Sequence, residues 1–204
     1  MTRILRLALL VAAPLLTPVL RAQIISAYVT SANTHLSNVQ TGSVYSGAAG
    51  YQNQFTSYWT SGIGGGVTLG ILPIGPVRLG FDVRGSTKPG TTGADTAFAG
   101  LKLGLKAPLI PIKPYVQVSG GYVATRTVNV STSSIGGNAV GGTFTNQYAA
   151  YEVLGGVDFK LIPFVDLRAV EVGFGKGYNV GGLTASGTSS MTLFTINTGL
   201  VVHF

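Results

Sequence analysis

The stretch Val77-Arg78-Leu79-Gly80-Phe81-Asp82-Val83-Arg84 changes character at every step, with apolar residues at the odd positions and charge or glycine at the even ones. A period of two sends successive side chains to opposite faces of an extended strand. Leu101, Leu103 and Leu105 alternate in the same way with Lys102, Gly104 and Lys106, and Phe194, Ile196, Leu200, Val202 and Phe204 share one face of the last segment. Eight candidate strands follow, at about 24–35, 58–71, 77–86, 95–106, 115–126, 148–160, 165–176 and 190–204. No segment keeps a helical period of 3.6.

Composition decides which face looks outward. Charged residues make up 9 % of the chain, where a soluble domain carries about 25 %, and mean hydropathy is +0.42. Beyond residue 22 there is no apolar run of about 18 residues that would make a membrane helix. A chain this apolar satisfies its backbone in lipid by closing strands into a barrel. A soluble eight-stranded barrel would need a charged outer face, which these residues do not supply. An open sandwich does not explain the connections described next.

Leu72 to Pro76, Ala107 to Pro114 and Leu161 to Phe164 are short and carry proline, whereas 36–57 and 127–147 are long and rich in Gly, Ser, Thr and Asn. Short turns at one end and long polar loops at the other are the asymmetry of outer-membrane barrels. Residues 1–22 read as a secretory signal: Arg3 and Arg6 precede an apolar stretch from Leu7 to Leu20, with Ala22 before the cut. The expected domains are a signal peptide at 1–22 and a barrel at 23–204. Loss of Arg3, Arg6 and Arg21 lowers the net charge from +7 to +4, so the basic balance gives no reason to expect a nucleic-acid partner. Without cysteine, neither a disulfide framework nor a lipoprotein anchor is available.

The closing residues resemble the C-terminal signal by which outer-membrane barrels are recognised by the barrel assembly machinery. The matching positions are Asn197, Gly199, Val202 and Phe204. The whole chain after the signal is similar to the small OmpA/OmpX-type barrels, the outer membrane protein β-barrel domain superfamily. That resemblance implies an all-β, eight-stranded antiparallel up-and-down transmembrane barrel, with short periplasmic turns, long extracellular loops and both mature termini in the periplasm. It implies outer-membrane lipids and the assembly machinery as partners, and a monomer. Nothing follows Phe204, so a peptidoglycan-binding domain is not expected.

Catalytic chemistry has one candidate. His35-Leu36-Ser37-Asn38 is similar to the His-x-Ser-Asn motif of lipid A deacylases, in which His and Ser act as base and nucleophile with an acidic orienter. Here the motif ends the first strand, and the first acidic residue is Asp82. The alternative reading is a strand running into a polar loop. No metal cluster or paired carboxylates stand out, and Gly62 to Gly66 lacks the Lys-Ser/Thr of a phosphate loop. No cofactor and no catalytic residue are therefore expected. Tyr58, Trp59, Tyr148 and Tyr151 at one level, and Phe159 and Phe164 at the other, are read as interfacial aromatic girdles.

The lumen of eight strands is just filled by side chains. Arg78, Asp82, Arg84, Lys102, Lys106, Glu152, Asp158, Lys160, Asp166, Arg168 and Glu171 are expected to form an ion-pair network there, because buried charges must pair. Two details sharpen this. Glu171 falls on the opposite parity to Asp166 and Arg168, so a β-bulge near Ala169-Val170 is expected to return it to the lumen. Opposed positions in the sixth and seventh strands are expected to sum to 326, matching Asp158 with Arg168 and Lys160 with Asp166. The expected function is a non-catalytic outer-membrane protein acting in envelope integrity or surface contact, its lumen plugged by charge. The alternatives are a narrow channel for small solutes and a lipid A-modifying hydrolase using His35 and Ser37.

Overall fold

The computed structural model describes residues 25–45, 51–105, 111–132, 139–181 and 190–204. Eight strands follow in chain order: β1 Ile25–Tyr45, β2 Tyr51–Ile74, β3 Val77–Lys88, β4 Gly93–Leu105, β5 Ile112–Thr132, β6 Ala139–Ile162, β7 Val165–Gly181 and β8 Ser190–His203. Each pairs antiparallel with its neighbours, and β8 returns to β1, closing the barrel in the order β1 to β8. The seam runs from Ser26 opposite His203 to Ser37 opposite Thr192. Closure leaves no edge strand, so the ladder itself satisfies the backbone. The signal at 1–22 lies outside the described residues.

The alternating pattern becomes an inside and an outside. Along β3, Phe81 and Val83 face outward while Asp82 is fully buried. The outer wall is apolar on every strand, with Val29, Val67, Val83, Leu101, Val118, Val153, Phe174 and Leu200 all exposed. In water a continuous apolar girth of this kind would be a large unsatisfied surface; in a bilayer it is the matching one.

The long polar segments are corrected by the structure. The described parts of 36–57 and 127–147 are paired strand rather than open loop: β1 and β2 pair as far as Tyr45 opposite Tyr51, and β5 and β6 as far as Thr132 opposite Ala139. About 9–11 residues suffice for a tilted strand to cross a bilayer, and these strands have 21 to 24. Main-chain hydrogen bonds do not require apolar side chains, so the ladder continues past the belt as polar hairpins. At the other end the turns tighten to Gly75-Pro76 and Pro163-Phe164.

Bulges reset the alternation in two places that matter for the lumen. Asp158 pairs with Arg168 and Lys160 with Asp166, but Val157 pairs with Val170, leaving Ala169 as an extra residue in β7. The β8 side agrees, since Arg168 and Glu171 lie opposite Gly199 and Asn197. Arg168 and Glu171 therefore both face inward despite opposite parity. In β1, Leu36 pairs with Tyr58 and Val39 with Thr56. The extra residue there is accommodated by Asn38 at φ 59°, a conformation that asparagine tolerates better than most residues. Leu36 and Val39 both reach the lumen as a result.

Deleting Ala169 leaves Arg168 and Glu171 two positions apart, so a regular ladder holds both in the lumen without a bulge. The deletion variant is expected to keep the folded, heat-modifiable band after refolding in detergent, whereas deleting Leu167 sets Asp166 and Arg168 on opposite faces and is expected to lose it. Equal refolding yields of the two variants would contradict the role given to the bulge.

Candidate functional site

The lumen is built in strata, traced by the inward residues of β1: Ser26, Tyr28, Thr30, Ala32 and Thr34, then Leu36 and Val39. Tyr28 marks a dense ion-pair plug. Its centre is the Glu171 carboxylate, which accepts from Arg84 Nη1 and Nη2 (3.0 Å each), Tyr115 Oη (2.7 Å), Asn197 Nδ2 (2.9 Å) and Arg168 Nη1 (3.2 Å). Asp82 is the second acceptor. It takes hydrogen bonds from Thr68 Oγ1 (2.6 Å), Tyr28 Oη (2.8 Å) and Gln117 Nε2 (2.9 Å), with Arg84 Nε at 3.4 Å. Both carboxylates are essentially inaccessible. Their charge is tolerated because each is saturated by donors and faced by guanidinium.

Arg168 is wholly buried and bonds Asp158 through Nε at 3.1 Å. Its Nη2 has no hydrogen-bond partner among the described residues. The guanidinium instead lies over the Tyr28 ring at 4.2 Å, with the Tyr115 ring at 5.1 Å, so π-electron faces take the place of an acceptor. Both tyrosines lie directly opposite a glycine, Tyr28 across from Gly66 and Tyr115 across from Gly156. A Cβ at Gly66 or Gly156 would come within about 2.5 Å of the phenol oxygen. The glycines thus make room for the rings to lie along the wall and deliver their hydroxyls to Asp82 and Glu171.

Beyond the plug, Glu152 accepts from Thr195 Oγ1 at 2.9 Å and stands 4.0 Å from Arg84. A cavity of about 30 Å³ follows, lined by Thr30, Thr34, Ser86, Thr96 and Lys88 among others, large enough for water. Leu36, Val39, Phe98, Val123, Tyr148, Met191 and Leu193 then close the bore with an apolar layer. Sequence parity marks all of these positions but Val39 as inward, and the β1 bulge brings Val39 in, but the expectation of a charged plug left that second layer unseen.

The assigned residues distribute as follows. Asp82, Arg84, Lys102, Glu152, Asp158, Asp166, Arg168 and Glu171 lie in the lumen, each in an ion pair. Lys102 stands 3.8 Å from Asp158 and over the Tyr115 ring at 3.7 Å. Two assignments are corrected. Lys160 is opposite Asp166 and lines the lumen mouth, but it is exposed and makes no ion pair among the described residues; Asp166 is held instead by Lys113 and by His203 Nε2 at 2.6 Å. Arg78 lines the lumen mouth without an ion pair among the described residues. Lys106 lies outside the described residues. Lys113 was missed because Pro111 and Pro114 mark its segment as a turn, although β5 begins at Ile112.

Of the girdle, Trp59, Tyr151, Phe159 and Phe164 are outward and exposed. Tyr58 and Tyr148 are not girdle residues: Tyr148 is fully buried in the apolar layer and Tyr58 packs against it. Their even positions put them on the inward face, which the clustering of aromatic residues in the sequence concealed. Trp59, His35, Phe194 and Phe174 instead form a row across β2, β1, β8 and β7, with ring centroids 4.9–6.0 Å apart. Asn197 and Gly199 have structural duties: Asn197 donates into the plug, and a Cβ at Gly199 would meet the Val29 carbonyl oxygen at 2.1 Å. Val202 and Phe204 are outward and exposed.

His35 and Ser37 share the outer wall, with Ser37 Oγ 3.3 Å from His35 Nδ1. All six acidic side chains of the chain are described. Five serve the lumen, and Asp95 bonds Thr87 and Arg126. Among the described residues no cluster could hold a metal ion.

No protein-family model matches the sequence, and no curated protein matches it. Solved structures do. Neisserial surface protein A is 18 % identical, over 87 % of this chain and 97 % of its own, at a TM-score of 0.43. Ail, the attachment invasion locus protein of Yersinia pestis, is 11 % identical over 89 % and 99 %, at 0.45. The outer membrane protease OmpT of Escherichia coli is 11 % identical over 89 % and 97 %, at 0.45. The barrel is established by the closed pairing of this chain's own strands. Eight next-neighbour strands with an apolar outer wall are the architecture of the OmpA/OmpX type.

Removing either member of the Arg84–Glu171 pair strands a buried charge, and Arg84→Met or Glu171→Gln is expected to cost about 3–5 kcal/mol. The double variant is expected to lose less than the sum. Urea unfolding of protein refolded in detergent measures both, and strict additivity would show that the pair is not coupled.

Proposed function

We propose that the chain is a non-catalytic outer-membrane protein that is closed to solutes and acts at its surface. The observation that carries this reading is the double seal of the lumen. A saturated ion-pair plug and an apolar layer lie in series along the same bore. Either layer alone opposes a hydrated ion, the first by occupying the bore with paired charge and the second by its largely apolar lining, which cannot replace a hydration shell. A conduit would require both to open.

Surface action is supported by the strand extensions. The β1–β2 and β5–β6 hairpins continue well past the length needed to cross a bilayer, with Thr, Ser, Asn and Gln in place of apolar residues. Backbone pairing holds these segments in a fixed register, which suits recognition of another surface. We place these hairpins outside the cell and both mature termini in the periplasm, in keeping with the polar character of one end and the tight turns of the other. The barrel assembly machinery would read Asn197, Gly199, Val202 and Phe204, and the protein would act as a monomer in outer-membrane lipid.

A hydrolase using His35 and Ser37 is favoured only by their 3.3 Å contact. Every carboxylate that could orient the histidine is engaged elsewhere. The sequence His35 to Asn38 has a structural explanation in the β1 bulge, with His35 against Trp59.

Two experiments test the proposal. In planar bilayers the purified protein is expected to give no discrete conductance steps, and reproducible steps would replace the sealed barrel with a channel. In cells, Phe204→Ala is expected to lower the amount of folded barrel in the membrane several-fold while changing detergent-refolded stability by less than about 1 kcal/mol. Normal insertion of that variant would remove Phe204 from the assembly signal.

A further inference from the structure

The tight-turn end of the barrel opens into a vestibule of about 360 Å³ above the ion-pair plug. Its wall carries Arg78, Lys102, Lys113, Lys160 and His203, against two carboxylate side chains among the described residues, Asp158 and Asp166. The carboxylates are already committed. Asp158 bonds Arg168 beneath it and faces Lys102, and Asp166 bonds Lys113 and His203. Arg78 and Lys160 make no ion pair among the described residues, so the vestibule has two cationic side chains to spare.

We propose that this vestibule is a binding site for a small multivalent anion, of phosphate or polycarboxylate chemistry, with Arg78 and Lys160 as its principal contacts. Three features support it. The volume lies within the range of small-molecule sites. The low-dielectric barrel wall concentrates the field of the surplus cations within the cleft. The plug supplies a floor, so an anion would be held rather than passed through. Leu79, Leu105, Phe164 and Phe204 at the rim can accept an apolar portion of the same ligand. Arg78 presents a planar fork suited to two oxygens of one anionic group, and Lys160 a mobile point charge. The anion could be a free solute or the headgroup of a lipid from the adjacent leaflet. This site is independent of the surface role proposed above, since it uses the opposite end of the barrel.

Isothermal titration of inorganic pyrophosphate into protein refolded in a neutral detergent tests the free-anion source. Parallel binding to phosphatidylglycerol, with phosphatidylcholine as control, in nanodiscs tests the lipid source. Saturable pyrophosphate binding that weakens at least tenfold in Arg78→Ala, and also in Lys160→Gln, supports a solute site. Preference for phosphatidylglycerol that is lost in the same variants, without pyrophosphate binding, supports the headgroup. Lys176→Ala, on the outer wall, is expected to change neither. Neither substituted residue belongs to the plug, and circular dichroism confirms that each variant is folded; Lys160→Gln alone suffices should Arg78→Ala not refold. Absence of binding to both probes, or binding unaffected by both substitutions, overturns the proposal.

Discussion

The carboxylate of Glu171 is the point on which the interior depends. It draws two arginines, a tyrosine and an asparagine from four different strands into one cluster. Inside a narrow bore of low dielectric, a carboxylate without these donors would be strongly unfavourable, and so would the two guanidinium groups without it. The cluster is therefore an all-or-none arrangement. Tyr28 and Tyr115 belong to it as fully as the charges, since their hydroxyls complete the acceptors and their rings cover the guanidinium of Arg168.

That arrangement places demands on the backbone. Arg168 and Glu171 are three apart in a strand whose faces alternate every residue, and only the bulge at Ala169 allows both to face inward. The β1 bulge does the same for Leu36 and Val39 in the apolar layer. Glycine answers a different demand: Gly66 and Gly156 clear the wall for the two tyrosines. The bulges at Asn38 and Ala169 thus coincide with the layers that seal the bore in the proposed reading.

The two ends of the barrel present different chemistry. One extends as polar, hydrogen-bonded hairpins with little formal charge; the other closes in tight turns around a cationic vestibule. Between them lie the ion-pair plug and the apolar layer. In the sealed reading proposed above, each end meets its own surroundings without making the protein a conduit.

Much of this was legible in the residues. Alternation in 77–84 and 101–105, with too little charge to face water, determines a barrel with an apolar exterior. The broken parity at Glu171 locates a bulge, because a carboxylate against lipid is costly. Charge complementarity selects the register that sets Asp158 against Arg168. Tertiary structure decided the rest. Opposition in a ladder does not guarantee an ion pair: Lys160 lies across from Asp166, yet Lys113 and His203, from strands the pairwise argument never compared, hold that carboxylate. Tyr58 and Tyr148 have the composition of girdle residues and the parity of core residues, and parity prevailed. The length of the polar hairpins was hidden as well, because backbone pairing leaves no hydrophobic trace. Alternation reports which wall a side chain faces; which neighbours it finds across the bore depends on the closure of all eight strands at once.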